Sequence, residues 1–305
     1  MPNLDEVLAI NDNSPLHRAR FCIGVGAQRS GTTWVSRYLV KHPGFLMSPI
    51  KEMHVFDSLC LGAAKHAGIE SRYSTALMAH DLTQSDNDGL SHLSGFLALA
   101  DRVALVNTKG GYFRYFEKRL NSKHYSFGEI TPEYALLSQD DYRRIYAAFP
   151  GTRFFYILRN PVDRYVSAVH YWARLRPRFS VAEAYIGGLG KDIFTKYTLY
   201  HKTLEAMKEA LPADAIYTCF YEEMFRDQSK TLAALCEFLG IEYISPDKLS
   251  VPIGSRINSA GDGEVRSGLG PSEAQVATIR EYFRDVYENL PELVGQELPR
   301  EWTIP

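Results

Sequence analysis

The stretch 21–34 holds the residues whose types and spacing are most informative about chemistry. Gly26 and Gly31 have the G-x-x-x-x-G spacing of a phosphate-binding loop, and the hydroxyls of Thr32 and Thr33 follow. Such a loop directs backbone N–H groups at an anion, and the N-terminus of the next helix adds a favourable dipole. Thr32 stands where a nucleoside triphosphatase has lysine, so the loop predicts a phosphate-like ligand without γ-phosphate and Mg²⁺ chemistry.

A second group of anion-binding residues follows an apolar strand predicted over 153–159. Arg159 ends this strand at the carboxyl edge of the sheet, where open α/β sheets bind their ligands. Asn160 is placed to cap the next helix, and Ser167 follows two helical turns later on the same side. A guanidinium fork with a hydroxyl suits a phosphate. An ion pair between Arg159 and Asp163 is the alternative, and we favour the phosphate because the loop lies on the same edge.

The elements that position these residues alternate between strands and helices. This alternation predicts an α/β protein with a three-layer, P-loop-like fold, in which helices flank a central parallel sheet. The main strands are predicted over 20–26, 125–130, 153–159 and 215–221, and the main helices over 31–42, 110–122, 140–148, from 161 onwards and 229–239.

The domain organisation is predicted from composition and pattern. Residues 1–19 are polar and predict an irregular N-terminal segment, and 20–305 predict a single domain. The region 58–122 has the weakest pattern and suggests an insertion that forms the acceptor site. Its aromatic residues recur at helical spacing, which favours a core position over ligand stacking.

Bulk composition excludes several classes of protein. The chain has 305 residues and a net charge of −2, so no global field recruits nucleic acid or an anionic membrane. Its four cysteines have no metal-ligand spacing, and no signal peptide or membrane-spanning run is visible. A cytoplasmic location is therefore expected. The sequence leaves the oligomeric state open.

Several motifs together resemble one family. Residues 26–34 resemble the 5′-phosphosulfate loop of the sulfotransferases that use 3′-phosphoadenosine-5′-phosphosulfate (PAPS), and 158–167 resemble their 3′-phosphate motif. Residues 51–57 resemble the segment that carries the catalytic glutamate in heparan-type members, and 128–134 resemble their E-K-[ST]-P-x-Y segment. The shared order of these motifs identifies the chain as similar to the PAPS-dependent sulfotransferases, as a bacterial-type relative of the heparan and carbohydrate branch.

The resemblance implies roles for individual residues in binding PAPS, the sulfuryl donor. It requires no metal. The 3′-phosphate would be held by Arg159 and Ser167, and Arg256 and Arg266 would reach the nucleotide phosphates from a C-terminal segment. The residues implied at the 5′-phosphosulfate are Gln28, Arg29, Ser30, Gly31, Thr32, Thr33 and Trp34.

The resemblance also implies a mechanism of in-line sulfuryl transfer to a hydroxyl. Glu52 would be the general base and Arg29 would neutralise the leaving group. His54 would orient Glu52 or the acceptor, since an extended segment places both side chains on one side. His54 or His124 is the alternative base. Lys51, Glu129 and Tyr134 would contact the acceptor, a carbohydrate or a small hydroxylated metabolite.

Departures from the family pattern keep other functions open. Ile130 stands where a lysine is thought to approach the sulfuryl group, and Lys109 is a candidate to supply that charge. A heparan-like acceptor is therefore not assumed. A P-loop kinase for a small molecule and a nucleotide-binding module without turnover are the two alternatives.

Overall fold

The computed structural model describes residues 2–79, 89–176, 180–251 and 270–303. The predicted residues Arg256 and Arg266 lie outside this part of the chain. Within it, five parallel strands form one sheet in the order β2-β3-β1-β4-β5. The strands are β1 (Arg20–Gly26), β2 (Phe45–Met47), β3 (Ser126–Ile130), β4 (Arg153–Leu158) and β5 (Ile216–Phe220).

Helices connect the strands and cover the sheet. Short 3₁₀ turns lie at 15–18, 132–136, 196–198, 213–215 and 246–249. The α-helices are α1 (Leu4–Val7), α2 (Thr32–Lys41), α3 (Phe56–Cys60), α4 (Ala63–Met78), α5 (Gly89–Leu105), α6 (Gly111–Glu117), α7 (Gln139–Ala148), α8 (Pro161–Leu175), α9 (Val181–Gly187), α10 (Asp192–Thr195), α11 (Tyr200–Ala210), α12 (Tyr221–Arg226), α13 (Gln228–Leu239), α14 (Glu273–Tyr282), α15 (Arg284–Val294) and α16 (Arg300–Thr303).

Apolar cores lie on both faces of the sheet. Phe154 and Tyr156 of β4 point into one core with the aromatic residues of α6, while Phe155 and Ile157 point into the other with α2 and α13. Successive strand residues face opposite sides, so strands apolar on both sides need helices on both faces. The predicted three-layer α/β fold with a parallel sheet is confirmed.

Gly128 allows β3 to lie close beside β1. A Cβ at this position would lie 1.7 Å from the carbonyl oxygen of Cys22, and the residue has a φ of +154°. Only glycine fits this approach without moving one strand. The close contact aligns the carboxyl ends of β1 and β3, from which the site residues project.

The predicted N-terminal segment is wrong in one respect, because residues 1–19 are not irregular throughout. Asn3 caps α1 and Ser14 caps a 3₁₀ turn over 15–18. Leu4, Val7 and Leu16 are buried in the core. The apolar residues among the polar ones, rather than the average composition, decide the structure here.

Within the described residues, no helix combines the length and the apolarity needed to cross a membrane. The expected cytoplasmic location stays a prediction. Cys22, Cys219 and Cys236 are buried, as their apolar surroundings predict, and burial raises the pKa of Cys22 to about 12.

Candidate active site

The phosphate loop, residues 27–31, joins the end of β1 to the start of α2. Gly31 caps α2 with a φ of +83°, and as a glycine it offers no side-chain cap to the first turn. A Cβ on Gly31 would lie 2.8 Å from Met224 Cε, so the residue has both a conformational and a steric reason to be glycine. The first amides of a helix have no intrahelical acceptor, so they are available to an anion.

The hydroxyls of the loop are placed for an anion as well. Ser30 is completely buried, and its Oγ has no hydrogen-bond partner within the described residues. Thr32 is buried, while Gln28 and Thr33 are partly exposed at the mouth of the loop. A buried hydroxyl without a partner is costly, so Ser30 is available to a hydrogen-bonding ligand.

Arg29 joins the two predicted anion motifs. It has a φ of +67°, and its Nε donates to Ser167 Oγ at 3.0 Å. Arg159 Nη1 donates to the Arg29 carbonyl at 2.9 Å. The guanidinium of Arg29 also lies 5.2 Å from the ring centre of Tyr171 on α8. The sheet therefore brings together two sequence segments that are about 130 residues apart, as predicted.

Arg159 has the environment of a ligand-binding residue rather than of an ion pair. Its guanidinium carbon lies 4.6 Å from the ring centre of Tyr221, and its buried Nε has no hydrogen-bond partner in the described part of the chain. Among the described residues, no carboxylate lies within ion-pair distance, so the alternative pairing with Asp163 is wrong. Asn160 caps α8 by accepting from the Val162 amide at 3.0 Å, as predicted.

Trp34 is a core residue, which corrects its predicted role in nucleotide binding. It is 1% exposed and packs on Tyr38 and Phe225 in the core between the sheet and α2. As the third residue of α2, it lies on the buried face of the helix with Val35, Tyr38 and Leu39. The family-like motif thus contains a packing residue beside its binding residues.

The base segment, residues 51–55, carries the predicted base on an unusual backbone. Glu52 and His54 have φ values of +56° and +51°, so the segment is not extended as predicted. Their side chains still meet, with His54 Nε2 3.9 Å from Glu52 Oε2. Lys51 Nζ lies 3.2 Å from Glu52 Oε1. Left-handed φ values in non-glycine residues are strained and concentrate at functional sites.

Two helices of the predicted insertion hold this strained backbone in place. Tyr73 of α4 donates its hydroxyl to the Glu52 carbonyl, and the buried Arg102 of α5 donates to the carbonyls of Met53 and His54. The Arg102 guanidinium is itself paired with Glu70 at 3.0 Å and lies 4.3 Å from the Tyr73 ring centre. The helical pair α4–α5 therefore holds the backbone that carries Glu52.

Glu129 and Tyr134 support the same segment from below, which corrects their predicted contact with the acceptor. They are 1% and 0% exposed. Glu129 accepts from the Met53 amide at 3.0 Å and from the hydroxyls of Tyr112 and Tyr134. Burial raises the pKa of Glu129, opposed by these hydrogen bonds. Both residues are therefore buried supports of the segment 51–55 and are not exposed to an acceptor.

Three charged residues at the site were not assigned from the sequence. Asp57 Oδ2 lies 2.9 Å from His54 Nδ1 and 3.4 Å from Lys65 Nζ. Glu133 Oε2 lies 3.8 Å from His54 Nδ1. Burial raises the pKa of Glu133, and the nearby His54 opposes this shift. The i, i+3 spacing of His54 and Asp57 was the available signal, since α3 begins between them.

The other sequence candidates lie away from this cluster. His124 precedes β3 at the amino edge of the sheet and accepts from the Asn121 amide, so it is not at the carboxyl edge with Glu52. Ile130 is 3% exposed and packs in the core, where a lysine would be buried. Lys109 is exposed and borders a cavity with Glu6 and Val7.

Comparisons with known proteins decide the family. A model described as the sulfotransferase family matches residues 22–245, which is most of the chain and includes both anion motifs and the base segment. The chain belongs to the sulfotransferase family. The prediction of a PAPS-dependent sulfotransferase is therefore confirmed.

Solved structures share the fold at low sequence identity. A sulfotransferase from Alicyclobacillus acidocaldarius is 20% identical with a TM-score of 0.61, covering 94% of this chain and 99% of that one. A mouse sulfotransferase solved with 3′-phosphoadenosine-5′-phosphate (PAP) is 16% identical with a TM-score of 0.50, covering 93% and 88%. No curated protein sequence matches the chain. These likenesses support the sulfotransferase fold.

Proposed function

We propose that this sulfotransferase moves the sulfuryl group of PAPS to a hydroxyl of a carbohydrate or small metabolite, with Glu52 as general base. The observation that carries the proposal is that both halves of the site lie at one edge of the sheet. Gly26, the last residue of β1 before the phosphate loop, lies so close to Pro132 that a Cβ on it would be 3.2 Å from the Pro132 carbonyl oxygen. Glu133, which follows Pro132, lies 3.8 Å from His54. Anion site and base segment are thus neighbours.

The anion site has groups suited to both ends of the donor. Loop amides and the hydroxyls of Ser30, Thr32 and Thr33 would hold the 5′-phosphosulfate, and Arg159 and Ser167 the 3′-phosphate. Arg29, bonded to Ser167, would neutralise the charge that develops as the leaving group departs. Gln28 would border the same group, and Arg256 and Arg266 remain candidates for the phosphates.

The base segment has groups suited to proton removal. Glu52 is 31% exposed, so it can reach both His54 and an acceptor hydroxyl. Asp57 bonds to Nδ1 of His54, which leaves Nε2 facing Glu52. In this arrangement Glu52 takes the acceptor proton and Asp57 fixes the His54 ring. The protonated form of His54 holds Glu52 through Nε2–H.

The acceptor would lie between the base segment and the α4–α5 pair. Lys51 is 53% exposed beside Glu52 and would contact the acceptor. The helical region within 58–122 would form one wall of this site, as part of a single domain over 20–305. Exposed charge and partly buried carboxylates at this position suit a polyhydroxylated acceptor more than an apolar one.

Isothermal titration with PAP, and separately with ADP and Mg²⁺, tests the donor site. We expect metal-independent PAP binding that falls about tenfold or more in Arg159→Ala, because a hydrogen bond to a charged group contributes about 1.5–3 kcal/mol. Arg153→Ala is the matched control, since Arg153 begins the same strand at the opposite edge of the sheet and pairs with Asp214.

The same titration separates the competing functions. If ADP with Mg²⁺ binds as tightly as PAP, the kinase alternative replaces the proposed reaction. If PAP binds but an acceptor screen with labelled PAPS shows transfer that Glu52→Gln does not affect, Glu52 is not the base. A protein that binds PAP and transfers to no acceptor would support a binding module.

A further inference from the structure

The base segment and the turn after β3 place metal-binding atoms together. One oxygen of Glu52, one oxygen of Glu133 and a ring nitrogen of His54 all lie within 4.8 Å of one another. His54 is 4% exposed and Glu133 side-chain exposure is 13%, so two of the three ligands are shielded from solvent. Glu52, at 31%, would be the entry side for an ion.

In the part of the chain that the structure describes, two buried carboxylate oxygens in or beside this cluster have no hydrogen-bond donor. They are Glu133 Oε2 and Oδ1 of Asp57, whose side chain is completely buried against the His54 ring. Burying an unpaired carboxylate oxygen is costly unless a proton, a donor or a cation compensates it. Lys65 compensates only part of this charge, since its Nζ lies 3.4 Å from the other oxygen of Asp57.

We propose that Glu52, His54 and Glu133 bind one divalent transition-metal ion, with Zn²⁺ as the best fit. Imidazole nitrogen with carboxylate oxygens is a common zinc donor set, whereas magnesium and calcium prefer oxygen alone. Asp57 on Nδ1 leaves Nε2 of His54, 3.9 Å from Glu52 Oε2, for the ion, and such an outer carboxylate is usual behind a metal-bound histidine. Glu133, whose Oε2 lies 3.8 Å from Nδ1, would turn towards the Nε2 side to complete the set. A fourth position stays open for water or an acceptor oxygen.

The distances require only small movements. Ligands at about 2.1 Å from a tetrahedral ion lie roughly 3.4 Å apart, so atoms that lie within 4.8 Å of one another need to close by at most about 1.4 Å per pair. Rotation of the partly exposed Glu52 side chain shortens its distances to the other two ligands, and a smaller rotation of the Glu133 side chain closes the pair with His54.

The ion would inhibit transfer, and this consequence rests on the proposed function. It would occupy the lone pairs of Glu52 that take the acceptor proton, and it would leave the phosphate loop untouched. Zn²⁺ should therefore lower turnover at every PAPS concentration without changing PAP affinity. Removing it with a chelator should restore activity fully.

Titration of the full chain with Co²⁺, without donor or acceptor, tests binding independently of catalysis. We expect one ion per chain, with visible d–d absorption and no thiolate charge-transfer band, since burial raises the pKa of Cys22 to about 12 and of Cys236 to about 11. Glu52→Gln and Glu133→Gln should each weaken binding at least tenfold, and Asp57→Asn by about 10–100-fold. Glu237→Gln, a change at an exposed carboxylate on α13, should bind like the wild type.

The outcomes separate the two proposals. Failure to saturate, a thiolate band, or wild-type affinity in both Glu52→Gln and Glu133→Gln overturns the metal site. Because Glu52 is partly exposed, its variant folds even if Glu133→Gln does not, and thermal unfolding checks both. If Co²⁺ binds as expected while Zn²⁺ leaves sulfuryl transfer unchanged, the metal site stands and Glu52 as base fails.

Discussion

The phosphate loop and the base segment lie at the same sheet edge but are held in place differently. The loop is positioned by β1 and α2, its two neighbours in the chain, and its shape depends on Gly26 and Gly31. The base segment depends on side chains from distant helices and strands, chiefly Tyr73, Arg102 and Glu129. One half of the site is local in sequence, and the other is assembled by the fold.

This difference has an energetic side. Apart from its glycines, the loop has one residue with a left-handed φ, Arg29. Two hydrogen bonds, with Ser167 and Arg159 of the second motif, hold it in place. The base segment has two strained residues, and at least five side chains bond to its backbone within residues 52–55. A left-handed residue costs about 1–3 kcal/mol, which persists only when surrounding contacts compensate it. These five side chains, which we call the clamp, therefore orient Glu52; they are Tyr73, Arg102, Glu129, Thr131 and Tyr134.

The largest expected effect is on the base segment alone. Glu52→Gln should lower turnover by about 10²–10⁴-fold, the usual contribution of a general base, and leave PAP affinity unchanged. Initial rates with the acceptor found by the screen and titration with PAP measure the two halves separately. Glu237→Gln is the control, and a parallel loss of PAP affinity in Glu52→Gln would show that the halves are not independent.

An intermediate effect is expected on the phosphate loop alone. Ser30→Ala removes a buried hydroxyl that has no partner in the free protein, so the free energy of unfolding should stay the same or rise slightly. PAP affinity should fall about tenfold, because a hydrogen bond to a charged ligand is lost. Chemical denaturation and titration with PAP give both values.

Ser36→Ala is the matched control, because Ser36 is a buried serine further along α2. This variant should leave PAP affinity unchanged. A Ser30→Ala protein that is destabilised but binds PAP normally would place the hydroxyl in the scaffold. The loop would then act through its amides alone.

The phosphate loop could be predicted from the sequence better than the base segment, because the loop is positioned by its neighbours in the chain. The order and type of strands, the phosphate loop and the cap at Asn160 follow from local patterns, and the structure agrees with them. The backbone conformation of Glu52 does not follow from a local pattern. An i, i+2 alternation assumes an extended chain, whereas Glu52 and His54 have left-handed φ values. Side chains of α4 and α5 hydrogen-bond to the carbonyls of these two residues. Burial of Glu129 depends likewise on contacts far along the chain.

Trp34 shows the opposite limit of motif-based prediction. A motif fixes the residue types over a strand, a loop and the first helical turn, but only some of those side chains face the ligand. The helical period turns Trp34 into the core, where it is 1% exposed. Residue type alone therefore overestimates the binding site at its helical end.

The smallest expected effect tests the clamp. Tyr73→Phe removes the hydroxyl that donates to the Glu52 carbonyl but keeps the ring against Arg102. One buried hydrogen bond contributes about 1 kcal/mol, so kcat should fall roughly fivefold while PAP affinity stays unchanged. Tyr165→Phe is the matched control, since its buried hydroxyl donates to the Ala184 carbonyl at 3.0 Å, outside the base segment. Equal loss of stability in both variants, with kcat lowered only in Tyr73→Phe, would show that the helical pair α4–α5 positions Glu52. An equal kcat in both variants would mean that the remaining contacts of Arg102 and Glu129 suffice to hold Glu52.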